Sequence, residues 1–413
     1  MRILTITPSF PPDYTGGAEV SIYHTCRGLI DQGVHCTILS VNMRHPQQAD
    51  EWYDLDGIHV HRVRFSTRRP GGEIFDRRVY HAVRREIDAQ QPDIIHLHNA
   101  SGASLAPHVA ARRAGVPAVN TLHDLWLLCP NNMLLRADGS ICDPAAHPHG
   151  CNDCVRDYEY WAAVPRRRDL FTRLTRSALF LSPSQALIDF HVRAGYDPAR
   201  FRLVRLGFAE TPLGEPIHPG VRRLQNGRGQ QPLVVYGGGG AGVKGAHVVL
   251  DAARRLHERA PEIRIVVAGS LHGSMAARFQ QEAPNAQVLG RIPFTDMRIL
   301  FSLADLTLMP SVIPENSPVT IFESHQVGTP VVGSDIGGIP ELIDPGRTGY
   351  IVPPGDPQAL ADAIIDHFDR PPAERRRMRQ ACVETVRTQR SLASHLAALR
   401  AVYDEVLAGK GAG

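Results

Sequence analysis

An α/β fold in two domains is the architecture this sequence predicts, and three observations predict it. The chain has 413 residues, more than one ordinary hydrophobic core organises. Short apolar runs alternate with segments of helical period in two series, which argues for parallel sheets wrapped by helices. Between the series lies TPLGEPIHPGVRRLQNGRGQQP, residues 211–232, whose proline, glycine and glutamine content reads as an interdomain connection.

The first series holds strands at RILTITP, CTILSV, HVHRVRF, DIIHLHN, PAVNTLH and LFLSPS. Helical patterns fall between them, notably from Ala18 to Gln32 and from Val79 to Ala89. The second series runs through PLVVYGG, IRIVVAGS, NAQVLGR, LTLMPS, PVVGSD and GYIVPP, and from Pro371 onward only helix patterning remains. The expected division is an N-terminal domain at 1–210, the connection at 211–232, a C-terminal domain at 233–385 and a helical tail at 386–413. Parallel sheets bind ligands beyond the carboxyl ends of their strands. The loops after the strands, facing a cleft between the domains, are therefore where chemistry is expected.

Composition narrows the class. A net charge of +3 does not by itself imply a nucleic-acid partner. No apolar run approaches membrane-spanning length, and MRILTITPSF lacks a signal-peptide profile, so the expectation is a cytoplasmic enzyme.

VVYGGGGAGVKG, residues 234–245, reads as a strand, a glycine run and a lysine before a helix. Gly237, Gly239 and Gly242 satisfy a formal GxGxxG, yet the next strand ends at Gly269 and Ser270 without the carboxylate that a nicotinamide ribose needs. Lys244 is followed by Gly245 and Ala246 instead of the hydroxyl that holds magnesium in a triphosphate loop. Two readings survive on this stretch alone. One is a diphosphate cradle of backbone N–H groups, a helix N-terminus and one ammonium. The other is a glycine-rich turn with an incidental lysine.

PENSPVTIFESHQVGTPVVGSDIGGIPELI, residues 314–343, decides between them. Ser317 and Pro318 have the character of an N-cap and a first helical residue, with a helix from about Pro318 towards Gln326 that stops near Gly328. Its first-turn N–H groups, those of Val319 and Thr320 among them, form a second anion site. Glu323, inside this helix, can accept two hydrogen bonds from a ribose diol. Glu315, separated from it by seven residues, can meet sugar hydroxyls.

With these residues in place, the chain resembles the retaining family 4 glycosyltransferases of the GT-B fold, two Rossmann-like parallel-sheet domains facing a central cleft with a C-terminal helix returning to the first. The family signature is this E-x7-E followed by G-T/x-P-V-V/I and GG-x-x-E. PSFPPDYTGGAEV, PDIIHLHN, TLHD, LSPSQA and VRLGF extend the resemblance over almost the whole chain. It implies a nucleotide-diphosphate sugar held by the C-terminal domain and an acceptor entering from the N-terminal one. The implied donor-binding set is Gly16, Gly17, Gly239, Gly240, Lys244, Ser317, Pro318, Val319 and Glu323. Lys244 matches the lysine that neutralises the departing diphosphate, Glu315 the glutamate near the donor sugar, and His123 the histidine that contacts that sugar; these three form the expected catalytic set. Transfer would proceed with retention, on one face, without a catalytic metal. Many relatives carry an arginine five or six residues before the lysine, where this chain has Gly239 and Gly238. A cationic contact to a diphosphate is strong, so another arginine or the backbone of the longer glycine run must substitute. The alternative is a sugar-nucleotide-binding subunit with impaired catalysis, in a glycan assembly complex.

Two further features stand apart. Cys129, Cys142, Cys151 and Cys154 cluster in one loop at 129–154 with His147 and His149, and four thiolates suit a structural zinc. VPRRRDLFTRLTRSALF mixes arginines with Leu170, Phe171 and Leu174, a pattern that fits either a solvated helix face or peripheral contact with the inner face of an anionic membrane. The expected acceptor is a glycan or lipid-linked sugar of surface polysaccharide biosynthesis.

Overall fold

The computed structural model describes residues 1–12, 16–42, 49–65, 74–136, 138–143, 154, 164–239 and 242–410, with backbone alone at 42, 164–168 and 410. The chain forms two compact units, Met1–Phe208 with Leu392–Gly413, and Ala209–Ser391.

The first unit is built on β1 (Arg2–Thr7), β2 (His35–Asn42), β3 (Glu51–Leu55), β4 (Ile58–Arg64), β5 (Ile94–His98), β6 (Ala118–Thr121), β7 (Ala178–Ser182) and β8 (Phe201–Leu203). Their order in the sheet is β3-β4-β2-β1-β5-β6-β7-β8. Every pairing is parallel except β3 with β4, an antiparallel edge hairpin. Its turn is Asp56-Gly57, with φ of 50° and 78°, the left-handed pair that a two-residue hairpin requires. The β3 strand was not among the sequence expectations, although Asp-Gly is a strong hairpin signal.

The second unit is built on β9 (Leu233–Gly237), β10 (Arg264–Ala268), β11 (Ala286–Gly290), β12 (Leu306–Met309), β13 (Val331–Ser334) and β14 (Gly349–Val352). The order is β11-β10-β9-β12-β13-β14, all parallel. Strand order therefore reverses between β9 and β12, and in the first unit between β1 and β5. Such switch points open a crevice at the carboxyl ends of the strands, because successive crossovers there leave on opposite faces. The glycine run follows β9, and Gly16-Gly17 follows β1, so both loops sit at a switch point.

The boundaries differ in detail from the expected ones. Residues 211–232 belong to the second unit and contain a helix, Pro219–Asn226. Buried Asp296 accepts from the N–H groups of Ile217 (3.1 Å) and His218 (2.5 Å), which fixes the approach to that helix. The helix Pro372–Gln389 runs through the expected boundary at 385, and the chain passes to the first unit after Ser391. The last helix, Leu392–Lys410, then buries Leu396, Leu399, Val402 and Tyr403 against Ile22, Cys26 and Leu29 of the helix Gly17–Asp31. Gly28 makes the approach possible, since a β-carbon there would lie 2.6 Å from the Leu396 side chain.

Candidate functional site

In the second unit the glycine run leaves β9 and turns through Gly242–Lys244 into the helix Ala246–Arg259. Gly245 caps that helix at φ 84°, where a β-carbon would stand 1.9 Å from the Pro310 carbonyl oxygen, so glycine is required twice over. The Val243 carbonyl accepts from the Val312 N–H (2.9 Å) and the Ser311 hydroxyl (3.2 Å), tying this turn to the loop after β12. The two loops of the switch point are thus one assembly.

That tie brings Lys244 to Glu315. The ammonium donates to Glu315 Oε1 at 2.5 Å, and the same oxygen accepts from Ser311 at 2.9 Å. The Glu315 backbone is held by the two glycines of SDIGG. Its carbonyl accepts from the Gly338 N–H at 2.7 Å, and a β-carbon on Gly337 would lie 2.3 Å from it. Buried Tyr236 donates to the Lys244 carbonyl at 3.1 Å. Burial and the Glu315 carboxylate both raise the tyrosine's pKa, so it stays a neutral donor.

The helix after Glu315 spans Val319–Gln326, with Pro318 as its cap residue at φ −66° and ψ 120°. The expectation of a Ser317 cap is corrected. Its hydroxyl is buried without a hydrogen-bond partner, and the residue before a proline is pushed out of helical geometry. First-turn groups such as the N–H of Val319 and Thr320 have no acceptor within a helix. Glu323 is 8 % exposed and its Oε1 has no partner. Burial pushes its pKa up to about 8, and the Arg298 guanidinium pulls the other way. Arg298, absent from the sequence expectations, stands on the helix Phe294–Leu303, donates to the Thr211 carbonyl at 2.7 Å and leaves Nε buried and unpaired. Its only signal in the sequence was a cation amid the apolar positions of FTDMRILF. Gly239 is described, and Gly240 lies outside the described residues.

In the first unit Gly16 precedes the helix Gly17–Asp31 in extended geometry, and its N–H donates to Glu19 at 3.0 Å. Ser9 donates to the other Glu19 oxygen at 2.6 Å. Arg62, 2 % exposed on β4, donates to the Phe10 carbonyl at 2.9 Å, and Tyr53 to that of Pro11 at 2.6 Å. These clamps order the exit of β1, and charge patterning did not show that Arg62 would be buried.

His123, half-buried beyond the end of β6, bonds through Nε2 to Nδ1 of His98 at 2.9 Å, their rings 5.2 Å apart and nearly parallel. His98 in turn lies 4.0 Å from the ring of His96, which bonds Tyr403 and Thr121, each at 2.7 Å. Burial first, and mutual repulsion second, hold His96 down to about 3, and burial holds His123 down to about 4, so both are neutral near pH 7. Asp124 accepts from the Trp126 N–H at 3.0 Å and opens the loop towards Cys129.

Cys129 and Cys142 pack against the core of this unit. Burial raises the Cys142 thiol, with Cys129 and Cys154 adding to the rise. Among the described residues no group of three or more His, Cys, Asp or Glu side chains is placed to hold a metal ion, and Cys151, His147 and His149 lie outside them. No helix of the described residues is long and apolar enough to cross a membrane.

Residues 15–209 match the model of Glycosyltransferase Family 4, and residues 222–385 that of Glycosyl transferases group 1. A D-inositol 3-phosphate glycosyltransferase of Paenarthrobacter aurescens is 27% identical over 86% of this chain and 85% of its own. An alpha-D-kanosaminyltransferase of Streptomyces kanamyceticus is 26% identical over 78% and 79%. Among solved structures, Anabaena HepE in complex with UDP-glucose superposes with a TM-score of 0.71 at 20% identity, over 98% of this chain and 100% of that one. Sucrose-phosphate synthase of Thermosynechococcus elongatus does so with a TM-score of 0.74 at 18% identity, over 99% and 100%. With two doubly wound units, GT-B neighbours over its whole length and both halves matched, this chain belongs to the group 1 glycosyltransferases.

Proposed function

We propose that the protein is a retaining glycosyltransferase that moves a sugar from a nucleotide-diphosphate sugar to a hydroxyl of a glycan or lipid-linked acceptor in surface polysaccharide biosynthesis. The observation that carries this reading is the Lys244–Glu315 pair at the switch point of the second unit, on the loop that leads into the first helical turn at Val319 and Thr320. Lys244 is the counter-charge for the diphosphate, most effective where water is excluded. Glu323 takes the ribose diol, and Glu315 and His123 take hydroxyls of the donor sugar. As the anomeric carbon–phosphate oxygen bond breaks, the acceptor oxygen bonds the same face of that carbon. The acceptor's proton passes to the departing phosphate oxygen, so no side-chain base and no catalytic metal is required.

HepE is solved in complex with UDP and with UDP-glucose, which supports uracil as the first base to test. A structural zinc on Cys129, Cys142, Cys151 and Cys154, a cytoplasmic location and a peripheral membrane contact stay part of the proposal. The test is thermal shift with UDP, GDP, ADP and dTDP and their common sugars, on wild type and Lys244→Ala. Binding to the folded form alone raises the melting point through mass action. A shift with one nucleotide, lost in the variant, is expected; no shift with any of them refutes the reading.

A further inference from the structure

The bond between His98 and His123 carries a consequence beyond the expected role of His123. Both rings lie in the first unit, and register places His98 opposite Thr121, two residues before His123. Neutral imidazole has one protonated and one bare nitrogen. Between two neutral rings, a single proton therefore occupies the Nδ1···Nε2 contact, and that contact consumes Nε2 of His123. His98 is itself immobile. It is 4 % exposed and packed at a tilt against His96, whose two ring nitrogens are both engaged by Tyr403 and Thr121. Tyr403 is buried on the helix Leu392–Lys410, so the end of the chain forms the back of this stack.

We propose that His98 is the positioning residue of His123: it occupies Nε2, sets the ring's orientation and tautomer, and leaves Nδ1 as the only ring nitrogen offered to the donor sugar. The inference rests on the reading of His123 as a donor-sugar contact. Metal-bound histidines are oriented by the partner of their second nitrogen in the same way, and loss of such a partner typically lowers affinity or activity tenfold to a hundredfold.

The experiment uses the full-length enzyme with its nucleotide-sugar donor and two sets of variants. His98→Phe keeps an aromatic ring against His96 and removes the hydrogen bond, while His98→Asn restores a polar atom near the place of Nδ1. The expected result is a fall in kcat of about tenfold to a hundredfold in His98→Phe, at nearly unchanged acceptor KM, with most of it recovered in His98→Asn. In the second set, His123→Asn retains a polar atom at the position of Nδ1 and His123→Gln at that of Nε2. The asparagine variant is expected to be the more active. If His98→Phe folds and turns over like wild type, or the glutamine variant outperforms the asparagine one, the positioning role is overturned. Should His98→Phe not fold, the His123 pair decides alone. An unimpaired His123→Ala would instead overturn the donor-contact reading, and the positioning role with it.

Discussion

Replacing Glu323 by glutamine is the most direct probe of the candidate donor site, because the environment of that carboxyl makes a signed prediction. Its value rises from 4.5 to about 8, chiefly by burial, against a partial pull from Arg298. A carboxyl whose folded value exceeds its unfolded one binds more protons when folded. Its contribution to stability is fully present below pH 4.5 and is lost as pH rises through about 8. Glutamine does not titrate, so Glu323→Gln gains relative to wild type across that window and levels off above it. A pKa unit is worth about 1.4 kcal/mol, so the shift sets a ceiling of about 5 kcal/mol on the gain. For a unit of this size that ceiling is on the order of ten degrees in melting temperature. Relaxation around the new charge will reduce it. The assay is differential scanning calorimetry of both proteins, without ligand, from pH 5 to pH 9. A melting-point difference that does not change over this range refutes the argument, and would mean that Glu323 is already ionised and stabilised by Arg298.

The glycine loop and the cysteines supply three more tests. Gly245→Ala should cost more than about 2 kcal/mol in urea unfolding, since the new β-carbon meets a backbone oxygen at 1.9 Å in a left-handed residue. Gly242→Ala, with no described residue within 4 Å of its β-carbon and no positive φ, should change stability by less than about 0.5 kcal/mol. Gly239→Arg tests the arginine expected from the family resemblance, because a β-carbon there stands 3.3 Å from the Ser270 nitrogen, whereas at Gly238 it would lie 2.3 Å from the Tyr236 ring. Titration calorimetry should show roughly tenfold tighter nucleotide-sugar binding in Gly239→Arg, and unchanged affinity would mean that the backbone N–H groups already do that work. Protein purified without chelators should hold close to one zinc per chain, and less than about a tenth of an equivalent removes the metal proposal.

How much was legible in the sequence follows from how local each feature is. The parallel strands other than the three-residue β8, and the helix Gly17–Asp31, were legible, because each is written as periodicity within a few residues. The strand–turn–helix geometry of the glycine loop was legible as well, since its glycines and Lys244 are neighbours in the chain. The cap at Ser317 was misread because two local rules compete there: serine favours the cap, and the proline after it moves the helix start on by one. What no local pattern contains is a contact made by strand pairing or by the packing of a distant helix. Lys244 and Glu315 are 71 residues apart, His98 and His123 are 25 apart, and His96 and Tyr403 are 307 apart.

These contacts share a physical cause. In both units the strands flanking the switch point are buried and pinned in register, so the polar residues at their carboxyl ends have few places to go except towards each other. Desolvation then makes any unpaired group costly, and the pairs found there answer that cost: ammonium with carboxylate, imidazole with imidazole, hydroxyl with carboxylate. Glu323 Oε1 and Ser317 Oγ are among the exceptions, with Arg298 Nε, Asn99 Oδ1 and Ser334 Oγ; the first two are buried oxygens on one short segment with no partner among the described residues. On the proposed function these two oxygens meet the bound nucleotide sugar, and the cost of leaving them unpaired is then expected to return as donor affinity.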